Sequence, residues 1–266
     1  MNASPTAQTS DRQWLLNGGV TTGFILLLFI VWHLIALQEW VPAYLFPTPI
    51  EVLKSLASLL ADGKLFDSIG ASLSRMAIGY GISVVGGLLL GTLIATSWLA
   101  KQTIGKLVMA LQSLPSICWL PFALLWVGLN EQAVLFVIVL GAMFSIALST
   151  ENAILNISPI YLKVGRTLGA KSWILNRDIL FFAALPELIG GLKVGWTFAW
   201  RALMAAELLR SDLVGVGHLL EVGRSFNDIS MMMASILIIL AIGLIADGLI
   251  FGTAERIIRR RYGLQK

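Results

Sequence analysis

Nineteen consecutive residues from Gly19 to Leu37, GVTTGFILLLFIVWHLIAL, contain no Asp, Glu, Lys or Arg. A helix needs about 20 such residues to cross the hydrocarbon of a bilayer. The rest of the chain has the same character: of 266 residues, 57% are apolar and 13% charged, and the mean hydropathy is +0.84. Soluble domains carry roughly 25% charged residues. The composition therefore excludes an ordinary soluble fold, a disordered chain and a collagen-like chain. The one cysteine, Cys118, cannot form an intrachain disulfide.

The runs predict an all-α, polytopic membrane protein of about six spans. After a polar tail over 1–18, a transmembrane domain covers 19–252 and a basic tail 253–266. Span one is Gly19 to Leu37. The stretch from Gln38 to Arg75 reads as a connection holding an interfacial helix, Ile50 to Leu60, N-capped by Thr48 with Pro49 at its first position. Span two, from about Met76 to Trp98, carries Gly79, Gly81, Gly86, Gly87 and Gly91, a small-residue face suited to close helix packing. Span three, from about Leu107 to Leu125, contains Pro115 and Pro121, each expected to kink or break it. Spans four to six follow at about Ala133 to Ser149, Leu185 to Leu209 and Ile229 to Phe251.

An even number of spans puts both termini on one side, together with the loops around Lys101 and Arg166. Those segments hold twelve Lys and Arg, against five on the other side. Cytoplasmic loops carry the excess of Lys and Arg, so both termini and the loop 150–184 are expected in the cytoplasm. In that loop Ser158 and Pro159 open a helix that runs to Gly169, and a second stretch restarts at Ala170. Its basic and apolar faces suit either an amphipathic helix on anionic lipid or a knob that docks onto a cytoplasmic partner.

Within the loop, the frame Lys163-Val164-Gly165, Arg166-Thr167-Leu168, Gly169, then nine residues to Ile179 resembles the cytoplasmic signature of the permeases of bacterial ABC importers. That signature is Glu-Ala-Ala, three residues, Gly, nine residues, Ile, any residue, Leu-Pro. Here Lys163 replaces the Glu and Phe181-Phe182 replaces Leu-Pro, although Leu185-Pro186 follows. FPTPIEVL, SLPSICWLPFALLWVGLNEQAVLFVIVLGAMFSI and GLKVGWTFAWRALMAAELL are similar to the nitrate, sulfonate, taurine and bicarbonate branch. The resemblance covers about Trp32 to Leu264. It implies a coupling helix between spans four and five, with Lys163, Arg166, Thr167, Leu168, Gly169, Ala170, Ser172 and Trp173 against a separate cytoplasmic ATPase. It further implies a dimer of ATP-binding subunits, an extracytoplasmic solute-binding protein and a second permease copy, usually identical. The substrate it implies is a small anion, an aliphatic sulfonate or taurine in preference to nitrate or bicarbonate.

Ionisable residues inside spans are costly and are functional candidates by default. Glu187 and Lys193 are expected near the cytoplasmic interface. Arg201 either pairs with Asp247 of span six or attracts a passing anion. Glu207, close to the outward end, is expected to hold the following loop, with gating of the outer mouth as the alternative, since a carboxylate is a poor direct ligand for an anion. Trp196 and Trp200, four residues apart on one helix face, are expected to pack, with a lining role in the pathway as the alternative. Gly215, Gly217 and Gly223 would permit a re-entrant turn.

Catalytic chemistry is hard to place. His33 and His218 are the only histidines, with no Cys or carboxylate pair near either at metal-ligand spacing, and no phosphate-cradling glycine loop is present. The reading is a transport subunit that contacts membrane lipid and binds no cofactor, metal or nucleic acid, ATP being bound by its partner. The rivals, a secondary transporter or a membrane enzyme, lack a visible repeat, a coupling-ion carboxylate pair or a catalytic group.

Overall fold

The structure, a computed structural model, describes residues 6–262 except 39, 41, 43, 170–180 and 211, with only the backbone at 6–18. It contains α1 (Thr6–Leu37), α2 (Pro49–Ala61), α3 (Lys64–Thr96), α4 (Lys106–Gln112), α5 (Leu120–Val127), α6 (Glu131–Leu155), α7 (Pro159–Thr167), α8 (Phe181–Leu208), α9 (Val216–Ser225), α10 (Ile229–Ile245) and α11 (Gly252–Arg261). No strand occurs among the described residues.

Helix α6 is the centre of the bundle, lying between α3 and α8. Both neighbours present glycine to it. A Cβ at Gly79 would sit 2.7 Å from Ile138 Cγ2, and one at Gly87 2.7 Å from Ile146 Cβ. At Gly91 it would overlap the Ala147 carbonyl, and on α8 Gly191 and Gly195 meet Ser149 and Ile146 in the same way. The helix axes can approach this closely only because those Cβ atoms are missing. Gly81, by contrast, faces open space. Met76, Val134, Val137, Ile138, Leu203 and Trp200 fill the core on either side.

Among the described residues, four helices or helix runs are long and apolar enough to cross a membrane: Gly19–Leu37, Lys64–Thr96, Glu131–Leu155 and Ile229–Arg261. A fifth crossing arises if Trp98–Gln112 and Ser116–Val127, bent by 102°, make one broken span. Helix α8 has 28 residues but carries Lys193 and Arg201 in its middle and is not among these. The break expected in span three falls at Ser113 to Pro115. Pro121 corrects the expectation, since it occupies the first turn of α5, where its missing N–H costs nothing.

Two boundaries also differ from expectation. Helix α1 starts at Thr6 and so includes most of the tail 1–18. Helix α3 starts at Lys64, with Ser68, Ser72 and Arg75 buried inside the fold. Their polarity suggested a loop, but tertiary partners satisfy the polar groups. Helix α2 forms as expected, with a capping box: the Glu51 N–H donates to Thr48 Oγ1 at 3.4 Å, and the Thr48 N–H donates to Glu51 Oε2 at 2.7 Å. Its Val52 and Leu59 are buried.

Candidate functional site

The bundle has two polar ends. At one, Arg75 ties four chain segments together. Its Nη1 donates to Glu207 Oε1 at 2.8 Å and to the Val214 carbonyl at 2.7 Å, and its Nη2 donates to Glu131 Oε1 at 2.7 Å. Glu207 is fully buried and Arg75 is 5% exposed. The Glu207 carboxylate also accepts from Ser72 Oγ, at 2.8 and 2.9 Å, and from the Gly217 N–H at 3.0 Å, while Ser72 Oγ accepts from the Val216 N–H at 2.9 Å. Ser72 and Glu207 thus cap the start of α9 from two other helices. A carboxylate there answers both the free N–H groups and the positive end of the helix dipole. Gly215 and Gly217 are required at this point, because a Cβ at Gly215 would overlap the carboxylate and one at Gly217 would lie 2.7 Å from Glu207 Cβ.

Beside this clasp Arg210 pairs with Asp212 at 2.6 Å and donates to the Asn130 carbonyl at 3.1 Å. The hydrogen bond from Arg210 holds the Asp212 carboxyl below its ordinary value. Sequence reasoning placed Glu207 near the loop that follows it but left Arg75, Ser72 and Glu131 out of the candidate set. A lone Arg within a serine-rich stretch, SIGASLSR, was the available signal.

At the opposite end, α7 follows α6. Pro159 opens it, and it closes on Gly169, whose N–H donates to the Arg166 carbonyl at 3.0 Å and whose φ of +78° lies in the left-handed region that glycine tolerates. Lys163, Arg166, Thr167 and Leu168 are exposed, and Leu168 is 79% exposed. Ala170, Ser172 and Trp173 lie outside the described residues. Lys101 pairs with Glu151 at 3.2 Å, and Asn156 Nδ2 donates to Glu187 Oε1 at 2.9 Å, so α6 is tied to its neighbours at this end as well.

Between the ends, the expected pair of Arg201 with Asp247 is corrected. Asp247 lies in a π turn, Ala246–Phe251, and pairs with Lys193 at 2.8 Å. Arg201 is exposed and has no ion-pair partner among the described residues. The reason is rotational: Gly191, Gly195, Ala199, Ala202 and Ala206 turn toward the bundle, which leaves Val194, Thr197 and Arg201 on the outer face. Trp200 is buried in the core, and Trp196 packs edge-on against Tyr80 with ring centroids 5.4 Å apart.

No group of three or more His, Cys, Asp or Glu among the described residues could hold a metal ion. The sequence profile of binding-protein-dependent transport system inner membrane components matches residues 84–262. The chain belongs to this family. Among similar proteins, one of Bacillus subtilis, whose assignment as an aliphatic sulfonates transport permease protein is itself provisional, is 28% identical over 220 residues, which are 83% of this chain and 79% of that one. A nitrate import permease protein of Leptolyngbya laminosa is 30% identical over 197 residues, 74% of this chain and 70% of that one. A chain of the inward-facing MetNI methionine ABC transporter shares the fold, with a TM-score of 0.61 and 22% identity, covering 74% of this chain and 95% of that chain. This permease is therefore a multi-pass membrane protein, and the two polar ends belong to a transport fold.

Proposed function

We propose that this permease is the membrane subunit of an ATP-driven importer that carries a small oxyanion, an aliphatic sulfonate or taurine in preference to nitrate or bicarbonate. The observation that carries the anion is Arg201. A guanidinium with no ion-pair partner among the described residues stands on the open face of α8 beside Thr197, about 10 Å before the helix ends at 1.5 Å per residue. Hydrocarbon does not tolerate such a group. The face must meet water or a second copy, and a fixed cation on a wet pathway raises the local concentration of anions. The reading counts α8 and the broken span as crossings, six in all, and puts α7 and both termini in the cytoplasm, which the twelve-to-five bias in Lys and Arg supports.

In that orientation α7, with Lys163, Arg166, Thr167, Leu168 and Gly169, docks onto a separate ATPase dimer, together with Ala170, Ser172 and Trp173. The clasp around Arg75 lies at the outward end, where a solute-binding protein delivers substrate. The relatives named for sulfonates and for nitrate support a small anion.

The deciding experiment is uptake of labelled taurine, an alkanesulfonate, nitrate and bicarbonate by cells carrying the chain with its own ATPase and binding protein. One of the four should depend on the chain and on ATP. Arg201→Ala should abolish that uptake while the protein remains in the membrane, and Arg201→Lys should retain part of it. Undiminished uptake by Arg201→Ala overturns the assignment of this face.

A further inference from the structure

Pro186 lies inside α8. Having no N–H, it cannot bond the carbonyl one turn back, that of Phe182. The Tyr262 hydroxyl donates to this freed carbonyl at 2.7 Å. The contact pins the end of α11 against the first turns of α8 and leaves a cleft of about 360 Å³ between them, lined by Phe182, Leu185, Ile257, Ile258, Arg261 and Tyr262. Phe182, Leu185, Ile257 and Ile258 supply the apolar part of the walls, and Arg261 and Tyr262 the polar part. Arg256, Arg259 and Arg260 are exposed on the same helix, and Arg259, Arg260 and Arg261 have no ion-pair or hydrogen-bond partner among the described residues.

The depth of this cleft follows from length. The helical run Ile229–Arg261 has 33 residues, about 50 Å at 1.5 Å per residue, whereas the hydrocarbon is about 30 Å thick. Its apolar part ends at Phe251, and Arg259, Arg260 and Arg261 follow about 12–15 Å further along the helix, so it is by reaching back along the helix that their long side chains meet the phospholipid headgroups. A slot with apolar side chains on both helices and the unpaired Arg261 guanidinium among its lining residues matches an acyl chain joined to a negatively charged headgroup.

We propose that the α8–α11 cleft is a binding site for one anionic phospholipid, with its phosphate on Arg261, the one arginine that lines the cleft, Arg259 and Arg260 adding positive potential from the other faces of the same turn, and an acyl chain between Leu185 and Ile257. The occupied site splints α11 to the start of α8, the helix entered directly from residues 170–180. The proposal rests on the membrane orientation of α10 and α11 and not on the identity of the transported anion.

The test is native mass spectrometry of the detergent-purified chain titrated with phosphatidylglycerol or phosphatidylcholine. Phosphatidylglycerol should bind at least tenfold more tightly. Replacing Arg259, Arg260 and Arg261 together by Ala should weaken it by about two orders of magnitude, since each basic residue near an anionic lipid surface is worth roughly fivefold in affinity. Leu185→Trp, which fills the slot and keeps the charges, should also weaken phosphatidylglycerol, by about tenfold. Soluble glycerol phosphate, which has no acyl chain, should compete poorly.

Equal binding of the two lipids overturns the site. So does full binding by the triple variant, while binding that needs the arginines but ignores Leu185→Trp reduces the site to a general basic surface. Circular dichroism of each variant checks that its helices are intact. Because no ATPase or substrate enters the assay, its failure is distinct from a failure of the importer reading.

Discussion

The Arg75 guanidinium and the Glu207 carboxylate, 132 residues apart in the chain, meet at 2.8 Å in the interior of the bundle. Each would be prohibitively costly alone. Together, with Ser72, Glu131, Val214 and Gly217 filling the remaining positions, they join α3, α6, α8 and the start of α9 at one end. The arrangement works because every polar atom of the pair has a partner, as a buried network must.

Removing one member strands the other. Arg75→Ala should destabilise the protein by about 3–5 kcal/mol, the usual cost of breaking a buried ion pair, and Glu207→Gln should cost less because the amide keeps its shape and some hydrogen bonds. Thermal unfolding of the purified protein in detergent measures both. Equal stability of Arg75→Ala and the parent would show that the clasp does not hold this end together.

The Lys193–Asp247 pair should contribute little. Its side chains are 32% and 50% exposed, and exposed pairs give roughly 0–1 kcal/mol. A double-mutant cycle with Lys193→Ala and Asp247→Ala should return a coupling of that size. The cycle with Arg201→Ala and Asp247→Ala should return none.

The helix packing predicts opposite outcomes for two glycines of α3. Gly91→Ala should cost about 1–3 kcal/mol, the typical penalty of overpacking, because its methyl would meet the Ala147 carbonyl, a backbone atom that cannot rotate away. Gly81→Ala meets open space and should be neutral or slightly stabilising. Comparison of expression level and unfolding temperature for the two variants reads the difference.

At Gly169 the demand is on the backbone rather than on space. With φ at +78° and nothing near a Cβ, Gly169→Asn should be tolerated better than Gly169→Val, whose branched side chain resists the left-handed region. Co-purification of an ATPase subunit should fall in the order Gly, Asn, Val.

The pH response of the 209–216 region follows from Asp212. Arg210 lowers its carboxyl in the folded state, so the stabilisation is present above the ordinary carboxylate value, about 3.9, and is lost as pH falls through the lower folded value. Hydrogen exchange of this region, divided by the intrinsic exchange rate at each pH, should be flat from pH 7 to pH 5 and rise only under more acid conditions. In Asp212→Asn that acid-induced rise should be absent.

Several features were legible in the residues themselves. The Thr48 cap, the break near Pro115 and the close packing at Gly79, Gly86, Gly87 and Gly91 of α3 each depend on local composition or on one period of a helix and have the predicted form. Gly81 of the same expected face, by contrast, meets open space, and four of the six expected spans, five with the bent pair, are long and apolar enough to cross a membrane. Arg75 was not legible, because an Arg among serines is polar in any local window, and only α8 and α9 folding against it make its burial affordable. The pairing of Asp247 was read wrongly for a related reason. The helical period gives the angle between two residues on one helix, but not how that helix is rotated against another.

Hydrophobicity per residue is a property of the chain, so the sequence alone determined that this protein is helical and lies in a membrane. The choice of Lys193 over Arg201 as the partner of Asp247, and of Glu207 as the partner of Arg75, belonged to the tertiary structure. Coulomb energy falls with a distance that exists only once the helices have packed, and their rotation about their own axes is settled by the fit of Gly191 and Gly195 against α6.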